Sequence, residues 1–96
     1  MKITVKDREV ELKYSLRIYM VFESMVNRAF NPNLTGDAVM LFLAAILSSD
    51  SNCDIDLDGL IDMIDEEPML LDDFIKWYSA KVSLTAKKKT KAKEIA

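Results

Sequence analysis

Residues 54–65, DIDLDGLIDMID, decide between two different folds. Asp54, Asp56, Asp58 and Asp65 fall at positions 1, 3, 5 and 12 of a calcium-binding EF-hand loop, and a glycine stands at position 6. The same stretch also fits the start of an ordinary helix. In that case Asp56 caps the first turn, and Asp58 interacts favourably with the positive end of the helix dipole.

The residues on either side of this stretch favour the helix. An EF-hand needs a helix that leads directly into position 1, but residues 48–52, SSDSN, favour a turn. Pro68 then comes too soon for a long exiting helix, and Asp65 is one methylene shorter than the glutamate usual at position 12. We predict a helix over residues 57–66 with four side chains directed inward: Leu57, Leu60, Ile61 and Ile64. Calcium binding by Asp54, Asp56, Asp58 and Asp65 is the alternative.

Further from this stretch, the chain predicts a mainly α (α+β) domain. Residues 2–14 alternate apolar and charged side chains around Asp7 and Arg8, as in a β-hairpin. Helical spacing predicts a first helix from a Ser15 cap to about Phe30, and a second, apolar on almost every side, from a Thr35 cap to about Ser49. A fourth helix opens at Pro68 and runs through five apolar or aromatic residues: Leu71, Phe74, Ile75, Tyr78 and Val82. The predicted fold is an N-terminal hairpin packed on a bundle of about four helices.

The charge distribution divides the chain into two parts. Residues 1–84 carry 8 Lys/Arg and 15 Asp/Glu, a net charge of −7, whereas residues 85–96 carry 5 lysines and 1 glutamate, a net charge of +4. We predict one domain over 1–84 and a basic, disordered tail over 85–96. A small nucleic-acid-binding protein that uses this tail is a further alternative, disfavoured because the body is acidic and the tail lacks aromatic residues for base stacking.

The composition points away from catalysis. The chain has no histidine, no glycine-rich phosphate loop and a single cysteine, Cys53, with no candidate base beside it. We therefore expect no enzyme activity and no cofactor. A lone thiol fits a reducing compartment, and the longest apolar run, residues 38–47, is far shorter than the ~20 residues that a membrane-spanning helix needs. We expect a cytoplasmic protein that does not bind membranes.

The order of the segments resembles the small tail assembly chaperones of long-tailed bacteriophages and prophages. Two blocks over about residues 3–80 carry the resemblance. The first block matches at Arg17, Phe22, Glu23 and Phe30, and it departs at Val26-Asn27-Arg28, where family members often have Thr-Gly-Lys. The second block matches at Leu57, Leu60, Ile61, Asp62, Ile64, Asp65, Pro68, Leu71 and Phe74.

The resemblance implies a noncatalytic binding protein of phage or prophage origin. Such chaperones are thought to coat the long tape-measure protein, to recruit tail-tube subunits and then to leave the assembly. Self-association is left open. Methionines adapt readily to varied partners, so we predict that five of them contact the partner: Met20, Met25, Met40, Met63 and Met69. Packing into the core is the equally weighted alternative for these methionines.

Overall fold

The computed structural model describes the backbone of residues 1–50 and 52–95 and the side chains of residues 1–50 and 52–84. Over these ranges the chain forms an N-terminal hairpin and four helices, so the predicted fold class is confirmed. The elements in chain order are β1 (Lys2–Val5), β2 (Arg8–Glu11), α1 (Leu16–Val26), α2 (Thr35–Ser49), α3 (Leu57–Glu66) and α4 (Met69–Ile95). The backbone of α4 continues through residues 85–95 of the predicted tail, whose side chains are not described, and the predicted disorder of residues 85–96 stays a prediction.

The hairpin is closed by a two-residue turn, Lys6-Asp7, one position before the predicted one. Both turn residues have positive φ, 50° and 63°, as a type I′ turn requires. The strands pair antiparallel with Ile3 opposite Val10. Alternation then places one face of the hairpin on the helices, and its buried side chains are Ile3, Val5, Val10 and Leu12.

The turn of the hairpin is attached to the connection between α2 and α3. Arg8 donates two hydrogen bonds to the Asp50 carboxylate, of 2.7 and 3.1 Å. Lys6 Nζ donates to the backbone oxygen of Asp54 at 2.7 Å. Since an isolated hairpin is marginally stable in water, these contacts and the buried face hold it in place.

Helix α1 is shorter than predicted. It ends at Val26 because Asn27 adopts the left-handed conformation, φ 57°, and donates its N–H to Glu23 O at 2.8 Å. The predicted end near Phe30 is therefore wrong. Ser15 occupies the N-cap position as predicted, but its side chain makes no capping hydrogen bond.

Helix α2 forms the centre of the core, which is one of the two arrangements that a helix apolar on almost every side predicts; the other is coverage by a partner. Every side chain from Leu41 to Ile46 is buried, and the helix packs against α1, α3, α4 and β2. The predicted Thr35 cap is wrong, since the N-cap residue is Leu34 and Thr35 is the first helical residue.

Helix α3 has the predicted bounds and the predicted cap. The Asp56 carboxylate accepts a hydrogen bond from Gly59 N at 2.8 Å. The predicted inward face is wrong in part: Leu60 is buried and Ile64 half-buried, but Leu57 and Ile61 are exposed. The inward side of α3 is therefore rotated toward Leu60, and Leu57 and Ile61 lie along its edge.

Helix α4 contributes Phe74 to the core, where its ring stacks on Phe42 with the centroids 4.4 Å apart. Three other residues of the helix are half-buried: Leu71, Tyr78 and Val82. Ile75, on the same helix, is 40 % exposed. No helix in the described part of the chain is long and apolar enough to cross a membrane.

Candidate functional site

The most exposed large apolar side chains of the described residues lie on α1. Leu16 is 74 % exposed and Met20 is 64 % exposed. Because they are four residues apart, they lie on one face of the helix, one turn from each other. We call this pair the α1 ridge. Arg17 and Glu23, which the family resemblance singles out, are exposed on the same helix.

A second apolar pair, Leu57 and Ile61, has the same spacing on α3 but lies closer to the core. These side chains are 36 % and 39 % exposed. Three exposed carboxylates of the same helix accompany them: Asp58, Asp62 and Asp65. A partner that covers this pair would therefore meet apolar and acidic groups together.

The five methionines predicted as partner contacts do not share one environment. Met20 and Met69 are exposed, the latter to 56 %. Met25, Met40 and Met63 pack partly against the core. Two of the five are therefore largely exposed and three are partly exposed, and all five stay predictions as contact residues.

The aromatic residues of the family motif are buried or half-buried, whereas its polar residues are exposed. Phe22 and Phe74 are buried and Phe30 is half-buried. The Phe30 ring lies 5.6 Å from Phe22 and 5.9 Å from Tyr78, and the Tyr78 ring lies 6.1 Å from Phe74. The structure therefore joins the aromatic motif residues through packing. The polar motif residues and the proline stay at the surface: Arg17, Glu23, Asp62, Asp65 and Pro68.

Three tyrosine hydroxyls form a chain beside this aromatic packing. The hydroxyls of Tyr14 and Tyr19 are 2.9 Å apart, and those of Tyr19 and Tyr78 are 2.7 Å apart. Burial raises the pKa of Tyr19 and of Tyr78, and for Tyr19 the two hydrogen bonds raise the pKa further. Trp77 borders the chain with its ring 6.4 Å from that of Tyr14. The tyrosine chain joins α1 to α4.

An ion pair between the exposed Arg28 and the buried Asp37 carboxylate joins the segment after α1 to α2. Asp37 is 3 % exposed, and its carboxylate accepts hydrogen bonds from the Arg28 guanidinium, at 2.6 Å for Nη1, and from Asn31 N at 2.9 Å. Arg28 holds the pKa of this carboxyl below its usual range. Arg28 belongs to the tripeptide that departs from the family pattern, so this chain uses that position for an internal contact.

The acidic stretch 54–65 does not form an EF-hand loop. Helix α3 includes positions 4 to 12 of the proposed loop, and the Asp56 carboxylate caps that helix. Within the described ranges, no three His, Cys, Asp or Glu side chains come together as a group that could hold a metal ion. Calorimetric titration with calcium tests the alternative directly, and a stoichiometric micromolar site would favour it.

Cys53 is buried at 7 % exposure beside the start of α3. Burial raises the pKa of its thiol, and the nearby Asp50 carboxylate acts in the same direction. A raised pKa leaves the thiol protonated and weakly nucleophilic at neutral pH. The thiol therefore serves as a packed side chain of the core.

A groove of about 410 Å³ runs between β1 and the junction of α3 with α4. Its lining combines four apolar residues, four carboxylates, one lysine and one threonine: Met1, Ile3, Met63, Leu70, Glu9, Glu66, Glu67, Asp73, Lys2 and Thr4. Volumes of roughly 300–1,000 Å³ are usual for ligand-binding clefts. No motif in the sequence points to this groove, because its walls come from the two ends of the domain sequence.

Comparison of the chain with protein-family models, with curated proteins and with solved structures gave no match. The likeness to the tail assembly chaperones rests on the sequence pattern, and it stays a prediction.

Proposed function

We propose that this protein is a noncatalytic phage or prophage tail assembly chaperone that acts in the cytoplasm of a bacterial host. It binds the tape-measure protein and the tail-tube subunits while the tail is built. The proposal joins the two-block sequence pattern with one structural observation, the α1 ridge of Leu16 and Met20.

The ridge supports this function because two large apolar side chains at helical spacing fit the apolar stripe of a partner helix. Burial of each side chain on a partner contributes about 1.5–3 kcal/mol before the costs of association. Met20 has three rotatable bonds in its side chain, so it adapts to successive, non-identical turns of a long helical partner. Helix-in-groove recognition uses the same kind of anchors.

The acidic body supports the same function through solubility. A tape-measure protein is long, helical and apolar, so it is prone to aggregation before the tail tube encloses it. A chaperone whose residues 1–84 carry a net charge of −7 covers apolar surface and adds charge to the complex. Copies bound along one partner repel each other, which keeps the coated chain in solution.

The experiment is co-expression with a tape-measure fragment from the same phage or prophage genome. The wild-type protein should keep the fragment in the soluble fraction and elute with it in size-exclusion chromatography. The double variant L16Q/M20Q should lose both effects. The matched control is I75Q/L84Q, which removes two exposed apolar side chains from α4 and should behave as the wild type. Wild-type protein that neither binds nor solubilises the fragment contradicts the proposal.

A further inference from the structure

The outer edge of β1 is open to an additional strand. Strand β1 pairs only with β2 in the described part of the chain. Leu12 N donates to Met1 O at 2.7 Å, and pairs in an antiparallel ladder alternate between bonded and non-bonded. The ladder bonds of β1 therefore run through Met1, Ile3 and Val5, so the N–H and C=O groups of Lys2 and Thr4 point away from β2.

These outward backbone groups lie at the groove, because Lys2 and Thr4 both line it. No hydrogen bond from residues 1–50 or 52–84 reaches them. An extended peptide at this edge would satisfy them as a third strand. The opposite wall offers the apolar side chains of Met63 and Leu70 to such a strand.

The charged side chains that line the groove indicate which peptide side chains it can bind. Lys2 pairs with Glu9 at 3.5 Å, and the terminal amine of Met1 pairs with Glu11 at 3.2 Å. The remaining three carboxylates at the groove form no salt bridge with the described side chains: Glu66, Glu67 and Asp73. A lysine or arginine side chain can lay its methylenes on Met63 and Leu70 while its charged end reaches these carboxylates.

We propose that this groove binds a cationic peptide segment of a partner protein in extended conformation, added as a third strand to β1. The backbone edge of Lys2 and Thr4 fixes the direction and register of the peptide, and the three carboxylates select its alternating lysine or arginine residues. The site is separate from the α1 ridge and does not depend on the proposed chaperone function.

The test uses three peptides that carry a fluorescent label: KVKVKVK, EVEVEVE, and KVKVKVK with a methyl group on every backbone nitrogen. Fluorescence anisotropy should show saturable binding of the first peptide alone. The methylated peptide keeps the charges and side chains but lacks the donors that a strand pair needs. Equal binding of the methylated peptide would overturn the strand geometry, and absence of binding by KVKVKVK would overturn the site.

Two pairs of variants separate the edge and the charges from general effects. T4P removes an N–H group that points away from β2, so proline at this position leaves the β1–β2 ladder intact. T4P should abolish peptide binding. T4V keeps the N–H group and should bind the peptide normally.

The second pair of variants tests the charges. E66Q/E67Q/D73N should weaken binding about tenfold, as expected for three exposed ion pairs. D58N/D62N/D65N removes the same charge from α3 outside the groove and should weaken binding less than about threefold. Equal weakening by both triple variants would overturn the proposed charge selection.

A second copy of the chain is the competing occupant of this edge. Sedimentation analysis of the wild-type protein and of T4P decides between the two. A monomer at all concentrations for both proteins supports a partner peptide. Concentration-dependent association of the wild type that T4P abolishes would overturn the proposal in favour of self-association.

Discussion

Arg28 binds the buried carboxylate of Asp37 across the segment that joins α1 to α2, with Nη1 2.6 Å from Oδ2. Asp37 lies in the first turn of α2, where the helix dipole also favours a negative charge. Phe30 lies between Arg28 and Asp37 in the sequence, and its ring packs edge-on against Phe22 with the centroids 5.6 Å apart.

The variant D37A should lower the melting temperature by about 5–10 °C, the shift typical of a strongly destabilising change in a domain of this length. It removes the acceptor of the Arg28 guanidinium and of Asn31 N together. R28K should have a smaller effect, because lysine keeps the charge but not the two-pronged geometry. Thermal unfolding followed by circular dichroism measures both. E23Q, an exposed change on α1, is the control, and a D37A shift no larger than that of E23Q would contradict the role of the pair.

The ion pairs Arg28–Asp37 and Arg8–Asp50 predict how the free energy of unfolding depends on pH. Arg28 lowers the pKa of Asp37 in the folded state, and Arg8 lowers that of Asp50. The stabilisation is therefore complete above the unfolded-state pKa, about 3.9, and is lost as the pH falls through the lower folded-state pKa. Urea unfolding between pH 2.5 and 6 should show a steep loss for the wild type below about pH 4 and a shallower loss for D37N. Parallel curves for the two proteins would show that Asp37 is not the group responsible.

The variant F74A should destabilise the domain by about 3–5 kcal/mol, because it removes a buried ring and leaves a cavity beside Phe42. I75A, at the neighbouring exposed position, should change stability by less than about 1 kcal/mol. Chemical denaturation gives both values. If the two variants proved equally destabilising, the orientation of α4 would have to be wrong.

Gly59 and Asp56 should show coupled effects on α3. D56A removes the cap and should cost about 1 kcal/mol. Helix propensity alone would let G59A raise the free energy of unfolding by ~1 kcal/mol. The increase should be smaller, because the new methyl group would lie 3.1 Å from Asp56 Oδ1. In the D56A background that obstacle is gone, so G59A should recover most of the gain. A double-mutant cycle from urea unfolding measures the coupling, and strictly additive effects would contradict it.

The tyrosine chain predicts a loss of stability at high pH. The pKa of Tyr19 is raised in the folded state, so its contribution is fully present below the unfolded-state pKa of about 10 and decreases as the pH rises above it. Y19F should cost about 1 kcal/mol at pH 7, where the hydroxyl makes two hydrogen bonds, and this difference should shrink above about pH 10. Unfolding at pH 7 and pH 11 tests this. Y14F removes one hydrogen bond of the tyrosine chain, so it should lower the free energy of unfolding less than Y19F does.

The sequence was sufficient for the elements whose signals are local. The bounds of α3 follow from the Asp56 cap and from Pro68, and the central place of α2 follows from apolar residues on all of its sides. The end of α1 was not predictable in the same way. Asn27 ends the helix in a left-handed conformation, whereas the helical spacing of the apolar residues continues to Phe30 and so placed the end too late.

The exposed face of α3, the tyrosine chain and the groove could not be predicted from the sequence, because each depends on contacts between residues far apart in the chain. Apolar spacing placed Leu57, Leu60, Ile61 and Ile64 on one side of α3, but only packing against α2 and α4 determines which part of that side is covered. Tyr19 and Tyr78 are 59 residues apart, and the groove combines residues 1–9 with residues 63–73. A single sequence holds no signal that joins such positions.

The attachment of the hairpin turn has a consequence for the order of folding during synthesis. Arg8 and Lys6 bind positions 42 and 48 residues further along the chain. During synthesis the two strands therefore lack their anchoring contacts until the start of α3 has emerged from the ribosome. Contacts of such large sequence separation slow folding, so the hairpin is among the last parts of the domain to be fixed.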